Sequence, residues 1–370
     1  METIIRKLSG SDADQLIYRE AAEVIRQEGL VAFPTETVYG LGGNGLDPRA
    51  AFKIYAAKGR PSDNPLILHI SKTDDLIPLV QEVPEAACRL IKAFWPGPLT
   101  LIFRKNPIVP DTTTGGLPTV AVRMPSHPGA RAFIEAAGVP IAAPSANLSG
   151  KPSPTCAAHV AADLAGRIPL ILDGGESDIG LESTIVDVSG EVPTVLRPGY
   201  IGLNRLREVL GTVAVDPAVW KSLGADEKPK APGMKYRHYA PKVPLTLVEG
   251  EDEARAAYIL AKARGTGSPG EKLGALVSRE TLPLYQHDTP GSLLLFPLGS
   301  RSQDAEIAHR LFSVLRTLDD FELTHVYSET FRSGLLSEAI MNRLQKAAAF
   351  EIITLPETGQ TEETDKEKPV

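Results

Sequence analysis

A chain of 370 residues with 42% apolar and 23% charged residues has the composition of a globular protein with a sizeable core and room for two domains. Its net charge of −7 argues against a broad nucleic-acid-binding face, so any anion site has to be local. Cys88 and Cys156 have neither the density of a disulfide scaffold nor the spacing of a structural zinc site, and both are expected to be buried, reduced and inert.

The N-terminus, METIIRKLSG, lacks the apolar stretch of a signal peptide, and no window approaches the roughly 18 apolar residues of a membrane span, so the expected place is the cytoplasm, with no membrane. Ser11, Asp12 and Asp14 start a helix whose apolar face carries Leu16, Ile17, Ala21, Val24 and Ile25, and Gly29 stops it. Leu30 to Phe33 reads as a buried strand that breaks at Pro34 and exposes Thr35, Glu36 and Thr37 where a strand meets a loop, a position suited to binding. Gly40, Gly42, Gly43 and Gly45 then permit close backbone approach to a ligand or positive φ. Asp47 and Pro48 serve as N-cap and first residue of a short helix that runs out at Gly59. Lys58 and Arg60 flank that glycine at a solvent-facing turn. They either answer the negative end of the helix or meet a ligand's negative charge, and position alone leaves both readings open.

A second strand spans Leu66 to Ile70 and carries His69, a lone histidine of the kind more often satisfied in a core than used as a ligand. A helix follows from Glu85 to Phe94, then strands at Leu99 to Phe103, Thr119 to Arg123 and Val139 to Ala143, with a helix near Gly129 to Ala137. Arg123 ends an apolar alternation, where a guanidinium is costly to bury without a partner. Ser145, Asn147, Ser149 and Ser153 follow the strand at Val139 to Ala143, at the kind of strand end where ligands of α/β sheets sit. Further strands are expected at Leu170 to Leu172, Ser183 to Val188 and Thr194 to Leu196, the last followed by Arg197.

Residues 1–212 thus form one unit. Residues 213–244, with KPKAPG and YRHYAP, are too rich in proline to be a core element and read as a linker; the cluster Tyr236, Arg237, His238, Tyr239 fits either a solvated tether or a lid over a ligand. Residues 245–356 alternate strands (near Leu245, Leu273, Leu293 and Thr324) with helical patterns (Glu251 to Ala263, Asp304 to Leu318, Leu335 to Ala347), which predicts a smaller domain with parallel strands. Residues 357–370 are polar and charged, the composition of a disordered tail.

Lys58-Gly59-Arg60 with Ser145-Ala146-Asn147, together with the blocks PTETVYGLG, KGRPSDNPL, PSAN and STIVD, resembles the YrdC-like family of L-threonylcarbamoyladenylate synthases in its long, two-domain form. The resemblance implies an α/β fold: an N-terminal YrdC-like twisted mixed sheet with helices, plus a smaller C-terminal α/β Rossmann-like domain. It implies condensation of L-threonine, bicarbonate and ATP to L-threonylcarbamoyl-AMP and pyrophosphate, with the product passed to a tRNA-modifying transferase complex for N6-threonylcarbamoyladenosine. Thr37, His69, Arg123 and Ser183 would hold threonine; Arg60, Asn64, Thr119, Ser145, Ser153, Arg197 and Tyr236 would hold ATP. Lys58 and Asn147 complete the signature as organisers of phosphate and backbone. Mg²⁺ would be held mainly through the ATP phosphates. Two other classes share features with this reading: an RNA-binding module with a weak tRNA contact, which the acidic total disfavours, and a hydrogenase-maturation carbamoyl transferase, whose acylphosphatase and zinc-finger segments are lacking here.

Overall fold

The computed structural model describes residues 1–221, 229–234, 238–265, 271–286, 289–332 and 334–356. Its main feature is a mixed sheet that runs, edge to edge, Ile4–Lys7, Leu170–Asp173, Val31–Phe33, Gly40–Asn44, Ile141–Ala143, Ile67–His69, Thr119–Arg123, Leu99–Arg104, Thr184–Asp187, Thr194–Arg197 and Ala214–Val215. Helices cover both faces. Gln15–Arg26 and Pro128–Ala137 bury Ala21, Ile25, Phe133 and Ile134 on one side, with Phe33 and Leu172. Pro48–Lys58, Glu85–Phe94, Ala157–Leu164 and Leu203–Leu210 bury Ile54, Leu90, Val160 and Leu206 on the other.

Local sequence signals explain most of these limits. Asp47 accepts from the Arg49 N–H as N-cap, Pro48 takes the first helical position, and Gly59 closes the helix at φ 62°, where a side chain would be strained. The four clustered glycines act differently from expectation. Residues 40–44 form a strand, and none of the four has positive φ. A Cβ on Gly42 would lie 2.6 Å from Ile141 Cγ2, and one on Gly45 would lie 2.8 Å from the Pro140 carbonyl. These glycines let neighbouring elements close together; what they approach is protein.

Register sets the functional residues in a row. His69 lies beside Arg123, Arg123 opposite Thr100, and Leu99 beside Thr184, which brings His69, Arg123, Thr100 and Ser183 together across four strands.

The C-terminal domain is a wholly parallel sheet in the order Leu293–Gly299, Leu273–Ser278, His325–Glu329, Leu245–Glu249, Ile352–Thr354. One face packs on the helix Asp252–Arg264, the other on Asp304–Thr317 and Ser337–Ala347. The latter cluster also takes in Val38 and Leu181 of the first sheet's loops, so the domains share a core.

That core corrects the view of residues 213–244 as free of core elements. Ala231 and Met234 are buried against Ile102, Ile185 and Leu196, and Tyr239 stacks on Phe312 at 5.0 Å. Tyr236, Arg237 and the tail 357–370 lie outside the described residues. Of the cysteines, both free, Cys88 is exposed and Cys156 half-buried, because Cys88 falls on the outer side of its helix. Among the described residues no helix is long and apolar enough to cross a membrane.

Because the Pro140 backbone cannot yield, Gly45→Ala should lower stability by about 1–3 kcal/mol, the usual cost of overpacking. Urea denaturation checks this; an unchanged midpoint would mean that the strand ends separate freely.

Candidate active site

The loop after Val31–Phe33, the loop after Ile141–Ala143, the strand ends at His69 and Arg123, and the residues Pro232, Gly233, His238 and Tyr239 close around one cavity. Two loops are pinned by backbone bonds: Tyr39 N–H donates to the Pro154 carbonyl and Ala146 N–H to the Tyr39 carbonyl.

Thr35, Glu36 and Thr37 are buried rather than exposed: Arg123 meets Glu36 and Thr37, and Thr35 Oγ1 donates to the Val38 carbonyl. Arg123 Nη1 donates to Thr37 Oγ1 at 2.8 Å, Nε to the Gly97 carbonyl, and Nη2 stands 2.8 Å from Glu36 Oε1. That last pair is close but poorly aligned: neither Nη2 nor Glu36 Oε2 has a hydrogen-bond partner among the described residues. Burial opposes the Glu36 carboxylate, yet the Arg123 charge prevails and holds it below the usual carboxylate range. Burial pushes the His69 pKa down to about 3, so the ring is neutral, and its Nδ1, 3.1 Å from the Ile67 carbonyl, carries the proton and donates it there.

Across the cavity, Ser183 Oγ pairs with Thr100 Oγ1 at 2.7 Å and accepts from Arg197 Nη2 at 3.1 Å, while Arg197 Nε donates to the Ser183 carbonyl. Arg60 leaves its Nε without a partner, as Asn64 does its Oδ1, among the described residues. Burial brings the pKa of both Arg60 and Arg197 down to about 10, which leaves each charged at neutral pH.

Lys58 corrects the expectation of a solvent-facing turn most sharply. It is 2% exposed, and Arg60 is 9% exposed. Lys58 Nζ donates to the carbonyls of Ser145 and Asn147, both at 2.5 Å. Ser145 Oγ donates to Asn147 Oδ1, and Asn147 Nδ2 to the Leu148 and Lys151 carbonyls. The two halves of the signature are thus one device, in which Lys58 shapes the loop that carries Ser145 and Asn147.

Of the residues singled out from sequence, Thr37, Arg60, His69, Arg123, Ser145, Asn147, Ser153, Ser183 and Arg197 line the cavity. Lys58 and Asn64 lie just behind it, and Thr119 begins the strand that Arg123 ends, away from the lining. Tyr236 falls outside the described residues. Sequence reasoning placed Glu36 in a loop suited to binding without naming its partner, and assigned no role to Glu182, Arg343 or Lys346. Glu182 accepts from Ser153 Oγ at 2.5 Å and from Arg343 Nε at 2.9 Å, and Lys346 Nζ donates to the Gly233 carbonyl at 2.5 Å. Burial lowers the Lys346 pKa to about 7. The available signal was Arg343 sitting among Ala339, Ile340, Leu344 and Ala347 on the buried stripe of its helix.

This is the fold and cleft of a YrdC-like α/β protein, with buried cations and hydroxyls at the strand ends of its larger sheet. The Sua5, YciO and YrdC family model, described as "Telomere recombination", matches residues 23–199, and the model for the "Threonylcarbamoyl-AMP synthase, C-terminal domain" matches residues 201–349. Threonylcarbamoyl-AMP synthases of Pyrococcus abyssi and Bacillus subtilis are 48% and 46% identical to this chain; each alignment covers 90% of this chain, and 95% and 93% of the relatives respectively. The crystal structure of P. abyssi Sua5 complexed with L-threonine superposes with a TM-score of 0.88 at 45% identity, covering 96% of this chain and 100% of that one. A double-alanine variant of P. abyssi Sua5 gives 0.88 at 44% identity, covering 97% and 100%. The chain belongs to the threonylcarbamoyl-AMP synthase family, in its long form with a second domain.

Two stability predictions follow from the buried groups. Lys58→Ala leaves two carbonyls unsatisfied, at about 1–3 kcal/mol each, so its urea midpoint should fall along with activity; a loss of activity alone would return Lys58 to a purely ligand-facing role. His69 and His159, with pKa values lowered by burial to about 3 and about 4, stay neutral in the fold where the unfolded chain takes up protons. Stability should therefore decline from about pH 6.5 downward, above the carboxylate range, and His69→Gln should flatten the urea midpoint's pH dependence between about 6.5 and 5.

Proposed function

We propose that the protein condenses L-threonine, bicarbonate and ATP to L-threonylcarbamoyl-AMP and pyrophosphate, for modification of tRNA beside the anticodon. The observation that carries the reading is the cavity's lining, where the hydroxyls of Thr37 and Ser183, the His69 ring and the Arg123 guanidinium stand with the cations Arg60 and Arg197 and the side chains of Ser145 and Ser153. Arg123 Nη2 has no aligned acceptor and suits one oxygen of a threonine carboxylate, with Glu36 holding the guanidinium in place.

The threonine nitrogen attacks the bicarbonate carbon only as the neutral amine, its proton and the bicarbonate hydroxyl leaving together as water, and a carbamate oxygen then attacks the α-phosphorus of ATP as the bond to pyrophosphate breaks. No protein nucleophile is required. Arg60 and Arg197 stay charged despite burial, and so can meet negative charge as it shifts to the leaving pyrophosphate. Mg²⁺ would come with the phosphates: Glu36 and Glu182 are committed to Arg123 and Arg343, and among the described residues no group of three or more His, Cys, Asp or Glu side chains is placed to hold a metal. The cytoplasm, where ATP and threonine meet, is the proposed place, with a separate transferase taking the product to tRNA.

The segment from Pro232 to Tyr239 is read as a lid. Pro232, Gly233, His238 and Tyr239 line the cavity, which retains about 50 Å³, far below the roughly 300–1,000 Å³ of small-molecule sites. Outward displacement of these four residues would admit ATP, and their return would keep water from the carbamate and adenylate.

Incubation with ATP, bicarbonate and threonine should yield threonylcarbamoyl-AMP by mass detection, where carbamoyl phosphate as donor should yield none. A site that hydrogen-bonds the threonine hydroxyl should take serine slowly and valine hardly at all; equal turnover of valine would rule that contact out. Arg197→Ala should lose about a hundredfold in kcat/KM, and Tyr236→Ala should weaken ATP binding. A chain ending near Gly211 should make little product, and near-normal turnover from it would reduce the segment to a tether.

A further inference from the structure

The strands of the C-terminal domain end at one edge, and beyond Leu245–Glu249, His325–Glu329 and Ile352–Thr354 lies a cavity of about 550 Å³, within the size range of small-molecule sites. Leu245–Glu249 and His325–Glu329 are neighbours, yet the helices that follow them, Asp252–Arg264 and Ser337–Ala347, lie on opposite faces of the sheet. That divergence opens a crevice at the strand ends of doubly wound sheets, where their ligands bind.

Arg255 and Arg301 line this crevice. Arg255, 5% exposed, donates through Nη2 to Asp252 and stands with Nη1 3.4 Å from Thr330 Oγ1. Arg301 donates through Nη1 to both oxygens of Asp252, at 2.8 and 2.9 Å, and through Nη2 to the buried Glu329 at 3.0 Å. The Nε of each arginine is buried and has no partner among the described residues. A third guanidinium, Arg332, stands at the mouth with its side chain 57% exposed, paired with Glu249 at 2.7 Å. Glu253 in the first turn repels an anion from the helix N-terminus, and Asp252 beside it is neutralised by Arg255 and Arg301, so a negative group belongs on the arginine side of the crevice, where Arg332 is the guanidinium most open to it. The carboxylates of Glu249 and Glu251, also on the lining, suit hydroxyl groups.

We propose that this crevice is a second small-molecule site, separate from the cleft of the first domain, for a phosphate ester of a sugar. Its phosphate would lie against Arg255, Arg301 and Arg332, and its sugar hydroxyls against Glu249 and Glu251. Such a ligand has two sources, a free sugar phosphate or a nucleoside monophosphate.

Calorimetric titration of the full chain with ribose 5-phosphate, AMP and inorganic phosphate tests the site. Ribose 5-phosphate should bind one site, at least tenfold more tightly than inorganic phosphate. Arg332→Ala, at an exposed position that leaves the fold intact, and Arg255→Met should each weaken it tenfold or more, while Arg197→Ala, in the other cleft, leaves it unchanged. AMP binding at the Arg332-dependent site tenfold tighter than ribose 5-phosphate assigns the nucleoside source, and equal affinity assigns the sugar phosphate. The proposal is overturned if neither ester binds in an Arg332-dependent way, if inorganic phosphate binds as tightly as the esters, or if Arg197→Ala alone abolishes binding.

Discussion

The Glu182 carboxylate accepts from Ser153 Oγ through one oxygen and from Arg343 Nε through the other, while Arg343 Nη1 donates to the Pro198 carbonyl. One buried ion pair therefore ties the loop after Ile141–Ala143, the entry to Thr184–Asp187 and the C-terminal helix Ser337–Ala347. Burial opposes the Glu182 charge, and the Arg343 charge holds it below the usual carboxylate range. Removing either partner of such a pair costs about 3–5 kcal/mol, because the other is left charged in an apolar setting. The second domain is thus continuous with the wall of the first domain's cleft.

Around that pair the interior is rich in positive charge. Arg60, Arg123 and Arg197 line the cavity, and Lys58, Arg343 and Lys346 stand directly behind it, against the carboxylates of Glu36 and Glu182. Burial, with mutual repulsion among these groups, lowers the pKa of Arg60, Arg197 and Lys346. Under the proposed function a polyphosphate would relieve that repulsion on binding, so the stability given up to keep unpaired cations buried would return as affinity and as stabilisation of the leaving pyrophosphate. Carbonyl groups do the remaining work of satisfying them: those of Ser145, Asn147, Ser183 and Gly233 each accept from a buried Lys or Arg side chain.

The sequence determined most of the elements and marked many of the residues that line the cleft. Periodic apolar runs located the strands at Thr119–Arg123 and Leu99–Arg104, and cap chemistry at Asp47, Pro48 and Gly59 bounded a helix, because these signals act within a few residues. The pattern around Arg123 was enough to mark it, since a guanidinium ending a buried strand needs a partner. Strand pairing order, which side chains face one another, and the sharing of a core between domains depend on contacts far apart in sequence, and only the tertiary structure decided them. Hence Lys58, a helix-end cation by sequence, proved to be the buried support of a loop 87 residues away, and the clustered glycines proved to be packing sites. Arg343 and Lys346, 161 and 113 residues from Glu182 and Gly233, came to support the cleft wall because chain folding, which no local rule encodes, set one helix against the site.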